Sequence, residues 1–298
     1  MHDALPAEED AARPYRGFMV HAWTDRKRDR MYITGRLLDG RSFAAVQPLE
    51  NPSFHVYASD LDRARVLLER IPAGVLPPDL ASFEGRENLA RLAFADGNSR
   101  NTARSILEQA GLYSPDGGEK PHLAWLSRRG IRGPVEIRGA ARGGRFLDMV
   151  FPAAEIAAFS GAVPVPLKIA SIDIETDTKD DSIRAIAISV SDASFAETQT
   201  RVRLRAAPGM RENTAGSDTA GDEPALFRHA DERALLKAFV KDVQELDPDV
   251  LTGWNFLDFD FPRLAARAEK WGAPFALGRS GEEAKFFPGE SGTGDGAW

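Results

Sequence analysis

Cysteine is absent from the 298 residues. That excludes disulfides and thiolate-held metal centres, and it accords with a cytoplasmic protein. Long apolar runs are missing as well. No stretch approaches the ~20 residues that a membrane helix needs, and the first ten residues are acidic with no signal-peptide core. No membrane partner is expected. The chain has no P-loop, no dinucleotide-binding fingerprint, no histidine-based zinc motif and no internal repeat. The glycines of 139–144 have the wrong spacing for a phosphate cradle and read as a hairpin turn. Hydrophobic content of 43% and charged content of 28% are ordinary for a globular protein, and the length suffices for two domains.

Charge is unevenly placed. Residues 1–166 carry 22 Lys and Arg against 21 Asp and Glu, whereas residues 167–298 carry 16 against 24. An acidic C-terminal half argues against general polyanion binding and suits a site that gathers carboxylates around metal. One local basic cluster, Lys120, Arg128, Arg129, Arg132, Arg138, Arg142 and Arg145, has two readings. It contacts phosphates of template or single-stranded DNA, or it is charge that protects a strand edge from aggregation. Arginine is common throughout the chain, which favours the second.

The pattern predicts a disordered tail over 1–14 and an α+β domain over 15–163. Strands are expected at Phe18–Trp23, Met31–Leu38, Ser42–Val46, Phe54–Tyr57, Val135–Arg138 and Phe146–Val150. Helices fit Asp60–Ile71 with Asp60 as N-cap, Asn101–Ala110, and Pro121–Arg129. Pro164, Val165 and Pro166 form an extended linker. A second domain then runs over 164–280, with strands at 168–175, 183–190 and 201–205, a helix near 231–246, a short strand at Val250–Leu251 and another helix. Residues 206–224 read as a flexible insertion and 281–298 as a poorly ordered end.

The most informative residues are Asp173 and Glu175, set in the apolar run Ile169, Ala170, Ile172 and Ile174. Residues i and i+2 of a strand share a face. Two carboxylates on one face of a buried strand repel each other and pay for desolvation. A hard divalent cation removes both penalties, and a pair of such cations runs phosphoryl chemistry. The competing reading is a strand end with its acids in solvent. Asp260 supplies a third carboxylate near a helix start after the short strand, where alone it would be a helix cap. Of the nearby aromatics, Trp254, Phe256, Phe259 and Phe261, most read as core by spacing, and some as faces for stacking terminal bases.

These residues carry a resemblance. Asp173-Ile174-Glu175 resembles the first motif of the 3′→5′ proofreading exonuclease of family B DNA polymerases. Asn255-Phe-Leu-Asp-Phe259-Asp260 resembles the second, and the lead-in from Asp247 to Trp254 is also similar. Gly17–Trp23 and Trp125–Gly133 fit more loosely, and the layout is most like the bacterial DNA polymerase II branch. The resemblance implies a mixed α/β protein: a ribonuclease H-like exonuclease core preceded by a smaller α+β N-terminal domain. It implies two divalent metal ions, magnesium or manganese, with Asp173 bridging both, Glu175 on the nucleophile side and Asp260 on the other. It implies that Asn255 and Phe259 lie at the DNA end, alongside Arg128, Arg129 and Arg132 as candidate DNA contacts. The implied partners are a single-stranded 3′ end, primer-template DNA and, in a full-length protein, a sliding clamp. The family's third motif, Tyr-x-x-x-Asp, should follow Asp260 by several tens of residues, and no tyrosine follows Asp260 here. The expectation is therefore an N-terminal polymerase fragment cut inside its exonuclease domain and inactive or nearly so alone. Two alternatives stand beside it: a stand-alone nuclease with the same core, and a non-catalytic DNA-binding or docking module with a vestigial site.

Overall fold

The structure is a computed structural model that describes residues 14–79, 88–161, 167–192, 198–207 and 224–284. Residues 1–13, the Pro164–Pro166 linker, nearly all of the 206–224 insertion and most of the 281–298 end lie outside the described residues. The chain divides into two compact units, one of 1–144 with 148–164, the other of 145–147 with 165–298.

The N-terminal unit is built on two antiparallel-rich sheets. Strands β1 (Tyr15–Asp25), β2 (Arg30–Leu37), β3 (Ser42–Pro48), β7 (Pro134–Arg138), β8 (Met149–Phe151) and β9 (Glu155–Ala158) form a six-stranded sheet in the order β8-β3-β2-β1-β7-β9. The expected hairpin through 25–30 joins β1 to β2, with Asp25 Oδ1 accepting from the amides of Lys27 and Arg28. The Gly139–Gly144 stretch does not join β7 and β8 as paired strands: β8 pairs with β3, and its Val150 also forms an isolated antiparallel bridge with Arg142 of that stretch. A three-stranded sheet, β4 (Ser53–Tyr57), β6 (Leu89–Ala93) and β5 (Gly74–Leu76), lies under helices α1 (Leu61–Leu67) and α2 (Gly97–Gln109). α1 is shorter than expected and Asp60 makes no side-chain cap. α2 begins earlier than expected because Asp96 caps it, accepting from the amides of Asn98 and Ser99. α3 (Pro121–Arg128) starts on proline, which has no amide to leave unsatisfied there.

The C-terminal unit holds a five-stranded sheet in the order β13-β12-β11-β10-β14. β10 (Lys168–Thr176), β11 (Ile183–Asp192) and β12 (Thr198–Arg205) run antiparallel to their neighbours, while β13 (Ala225–His229) and β14 (Val250–Thr252) flank them in parallel pairings. Helices α4 (Glu232–Leu246) and α5 (Phe261–Trp271) cover one face. Ala170, Ile172 and Ile174 of β10 point into that core with Leu235, Leu236 and Phe239 of α4 and Leu264 and Ala268 of α5. Six aliphatic and aromatic side chains at helical spacing on α4 bury against it, which is why this segment is a helix rather than a strand.

The turn before β14 is held by charge. Asp247 ends α4 in the left-handed region at φ 47°. Asp249 Oδ2 accepts from the amide of Lys168, which aligns β14 with β10. Arg279 reaches back to both acids, at 2.6 Å to Asp247 Oδ1 and 2.7 Å to Asp249 Oδ1.

β14 is short and its register with β10 covers only Ile169–Ser171. Beyond it the chain passes close beneath β10 at Gly253. A Cβ there would sit 2.2 Å from the carbonyl oxygen of Ile172, so only glycine allows this approach. Gly253→Ala is expected to destabilise the C-terminal unit by about 1–3 kcal/mol, read as a lower urea midpoint, with the N-terminal unit's transition unmoved.

Candidate metal and nucleic-acid site

Asn255 turns the chain with φ 56°, the left-handed region that asparagine enters more readily than most residues. A single π-helical turn, Phe256–Asp260, follows and runs directly into α5, whose second residue is Pro262. The amide of Phe261 closes this turn on the carbonyl of Phe256, five residues back, and the amide of Phe259 bonds the carbonyl of Asn255 at 2.9 Å. Phe256 and Phe261 are buried and meet edge to face, and Phe261 also meets Phe275. These contacts anchor the turn in the core, so its remaining groups are aimed by packing rather than left to loop motion.

Asp260 is the group so aimed. It is 2% exposed, and its Oδ1 accepts from the amide of Ile174 at 3.2 Å. This amide lies beyond the end of the β14 pairing. The Asp260 carboxylate therefore meets β10 at the residue between Asp173 and Glu175. Burial pushes its carboxyl up from the usual aspartate range; the Ile174 amide works against that rise, and the Asp173 charge adds to it.

Asp173 and Glu175 share a face, as their spacing requires, but it is the exposed face of β10. The buried face belongs to Ala170, Ile172 and Ile174. The expectation of two desolvated acids on a buried strand gives way to one buried acid and two hydrated ones. The reason is that α4 and α5 cover a single side of the sheet. Among the described residues no group of three His, Cys, Asp or Glu is arranged to hold a metal ion, so the three carboxylates do not close into a cage in this structure. Asp173 and Asp260 are close enough to interact by charge, and Asp260 would have to exchange its amide bond, or share it, to reach a common cation.

Around these acids lie residues that sequence reasoning missed. Arg263, one turn after Asp260, stacks on the Phe259 ring at 4.9 Å and pairs with Asp181 of the β10–β11 turn. Arg267, two turns after Asp260, pairs with Glu232 at the start of α4. Glu232 is 3% exposed and also accepts from the amide of Ile183 and from Trp271 Nε1. The signal was present as charged or polar residues at 260, 263, 267 and 271, one seam of a helix, but Glu232 reads from sequence as an ordinary first-turn acid. Trp254, on the loop before Asn255, is 93% exposed, and Phe259 is half-buried.

The three arginines expected to touch DNA separate. Arg128 is 6% exposed and pairs with Glu50 at 2.8 Å and Asp79 at 3.3 Å. Arg129 pairs with Glu50 at 2.6 Å and stacks on Trp125 at 4.0 Å. Burial works to raise the Glu50 carboxyl, and these two guanidiniums outweigh it and hold the group below its usual range. Arg128 and Arg129 thus hold α3 to the segment after β3, and Arg132 alone of the three is exposed without a role of that kind.

Residues 152–289 match the family model described as DNA polymerase family B, exonuclease domain. Over these residues the chain is similar to the exonuclease domain of family B DNA polymerases. That domain model covers a little under half of the 298 residues. A DNA polymerase of Thermococcus kodakarensis is 52% identical over 64 residues, 22% of this chain and 4% of the relative. A DNA polymerase of Archaeoglobus fulgidus is 38% identical over 65 residues, 22% of this chain and 8% of the relative. The structure of the family B DNA polymerase from the archaeon Pyrobaculum calidifontis superposes with a TM-score of 0.63 at 19% identity, covering 95% of this chain and 35% of that one. That likeness extends the shared fold from the exonuclease domain to the N-terminal unit. The chain spans about a third of the solved polymerase's length.

Two outcomes follow. Arg128→Ala should cost the N-terminal unit about 2 kcal/mol, because it removes a buried guanidinium shared by Glu50 and Asp79 and leaves those acids to Arg129 and Arg91, while Arg132→Ala should stay within about 0.5 kcal/mol; any loss of single-stranded DNA affinity without loss of stability should fall on Arg132. Asp260 has a raised carboxyl in the folded state, so the fold binds that proton more tightly than the unfolded chain does. Its contribution is full below the ordinary value of 3.8 and is lost as pH rises through the folded value. Asp260→Asn keeps an acceptor for the Ile174 amide and removes the charge. In EDTA at pH 7 it should raise the melting temperature of the C-terminal unit by a few degrees, and the gain should vanish at low pH.

Proposed function

We propose that residues 152–289 perform metal-dependent 3′→5′ hydrolysis of DNA, within a chain that forms the front part of a family B DNA polymerase. The observation that carries this reading is the seating of the Asp260 carboxylate on the Ile174 amide, between Asp173 and Glu175, inside a domain that matches the family B exonuclease model. A strand acid pair and a helix-start acid from another strand–helix unit supply oxygen ligands of the kind that magnesium and manganese take.

In this reading Asp173, Glu175 and Asp260 hold two divalent ions. Bound there, such ions would make a water nucleophilic at neutral pH and would offset charge on the leaving 3′-oxygen. Asp173 and Glu175, being exposed, pay little desolvation before metal arrives. Asp260 gives up its strained electrostatic position for a cation. Asn255, held in a left-handed turn, keeps the π-helical turn in register. Phe259, with Arg263 on its ring, and the open indole of Trp254 offer faces for terminal bases. Arg132 is the remaining arginine candidate for a phosphate contact. The substrate is a single-stranded 3′ end, with primer-template DNA, a sliding clamp, a cytoplasmic setting and the bacterial polymerase II branch proposed for the full-length protein. A second reading, a docking module with a vestigial site, draws support from the open arrangement of the three acids.

The test combines binding with chemistry. Manganese binding followed by electron paramagnetic resonance should weaken at least about tenfold in Asp173→Ala and in Asp260→Ala, the scale of losing a metal ligand. The 298-residue chain should shorten 3′-ended single strands slowly, only with magnesium or manganese, and not at all after Asp173→Ala. Cleavage that ignores Asp173, or manganese binding that ignores both acids, would move the function to the docking-module reading.

A further inference from the structure

Asp260 in the π-helical turn and Arg263, Arg267 and Trp271 on α5 form one seam, and between them they grip three parts of the unit. Asp260 takes the Ile174 amide of β10. Arg263 takes Asp181 in the β10–β11 turn. Arg267 takes Glu232, and its Nη1 donates to the carbonyl of Asp180 at 3.4 Å. Trp271 takes Glu232 from the far end, at 2.7 Å. Glu232 accepts four bonds. Oε1 receives the Ile183 amide at 2.8 Å and Arg267 Nε at 2.6 Å, and Oε2 receives Arg267 Nη2 and Trp271 Nε1.

The geometry of Glu232 is that of a fixed post. It sits at the first residue of α4, where Asp231 caps the helix by accepting from the Ala234 amide. The Ile183 amide ties the same carboxylate to the first residue of β11. Arg267 meets it with a fork of two parallel bonds, which fixes direction as well as distance. A helix held by such a fork cannot slide or roll without losing both bonds. Asp260 lies seven residues before Arg267, in the π-helical turn that runs into α5 and about 10 Å away along the axis, so its placement inherits that constraint. Its own bond to Ile174, at 3.2 Å, is longer than the bonds that Glu232 receives from Arg267 Nε, Ile183 and Trp271.

We propose that Glu232 and Arg267 are positioning residues for the metal-binding carboxylate of Asp260: they set the roll and axial position of α5, and so deliver that carboxylate to β10 beside Asp173. This rests on the exonuclease reading above, but one of its readouts does not. Neither residue touches the acids or a substrate. Their effect should therefore appear as a local loosening of the Asp260–Ile174 contact and a weaker metal site, not as general unfolding.

The experiment follows amide exchange by NMR on the full chain without metal, at Ile174, at Ile188 in β11 and at Phe239 in α4, together with manganese affinity. In Glu232→Gln and Arg267→Ala the Ile174 amide should exchange at least about tenfold faster, as expected from losing charge-assisted bonds. The amides of Ile188 and Phe239 should not change. Manganese affinity should fall in step, and Arg267→Lys, which keeps charge but not the fork, should lie between wild type and Arg267→Ala. Unchanged exchange at Ile174 would overturn the proposal, and so would a rise at all three amides together, which is what a merely structural ion pair predicts. If Glu232→Gln does not fold, Trp271→Phe removes a single bond from the same post and Arg267→Lys weakens another, and both are read at the same amides. Should Asp260→Asn leave manganese affinity unaltered, the exonuclease reading fails while Ile174 exchange still decides whether Glu232 and Arg267 position Asp260.

Discussion

A strand longer than its neighbour leaves backbone groups that must find another partner. β10 outruns β14 past Ser171, and the amide of Ile174 is answered by a side chain. Everything local to the acids is arranged around that replacement. Gly253 lets the chain pass under Ile172, Asn255 reverses it, and the π-helical turn adds the extra residue that carries Asp260 back to the strand. A regular α-helical start would leave the carboxylate a fraction of a turn away. π-turns recur at functional sites for this kind of reason: they shift one side chain out of helical phase without ending the helix.

Electrostatics explains why the acids are divided between water and core. Three ionised carboxylates sharing one buried space would not stay ionised without a cation. Here two remain hydrated on the open face of β10, and the third is buried with one backbone donor and a carboxyl pushed up. The surrounding arginines are already committed. Arg263 goes to Asp181, Arg267 to Glu232, and Arg184 to Asp177. None of those pairings neutralises the acids, whose charge is left uncompensated by these arginines.

Much of this was legible in the sequence because alternation and helical spacing report burial directly. β10 alternates from Ala170 to Glu175 and β11 from Ile186 to Val190, and α4 repeats its apolar residues at helical spacing. Asp173, Glu175 and Asp260 could be singled out because their spacing and the strand–helix order were readable. Four strands were missed for a physical reason. β6, Leu-Ala-Arg-Leu-Ala, and β9, Glu-Ile-Ala-Ala, are rich in residues with helical preference and become strands only through their neighbours, β13, Ala-Leu-Phe-Arg-His, has no alternation to mark it, and β5 is three residues long. The faces were misjudged at β10, since an apolar run does not say whether both sides of a sheet are covered. The arginines were misjudged at Arg128 and Arg129, since their partner Glu50 lies 78 and 79 residues away in the chain.

The clasp of Arg279 on Asp247 and Asp249 gains meaning from the missing cysteines. It closes a loop of 32 residues that contains β14, the π-helical turn and all of α5. Closing a segment of that length limits the conformations of its ends much as a covalent bridge would, at a cost that grows only slowly with length. An ionic bridge differs from a disulfide in being blind to redox conditions and responsive to ionic strength. The segment bearing Asp260 is therefore tethered by a link that needs no oxidising compartment and that salt, rather than a reductant, would loosen.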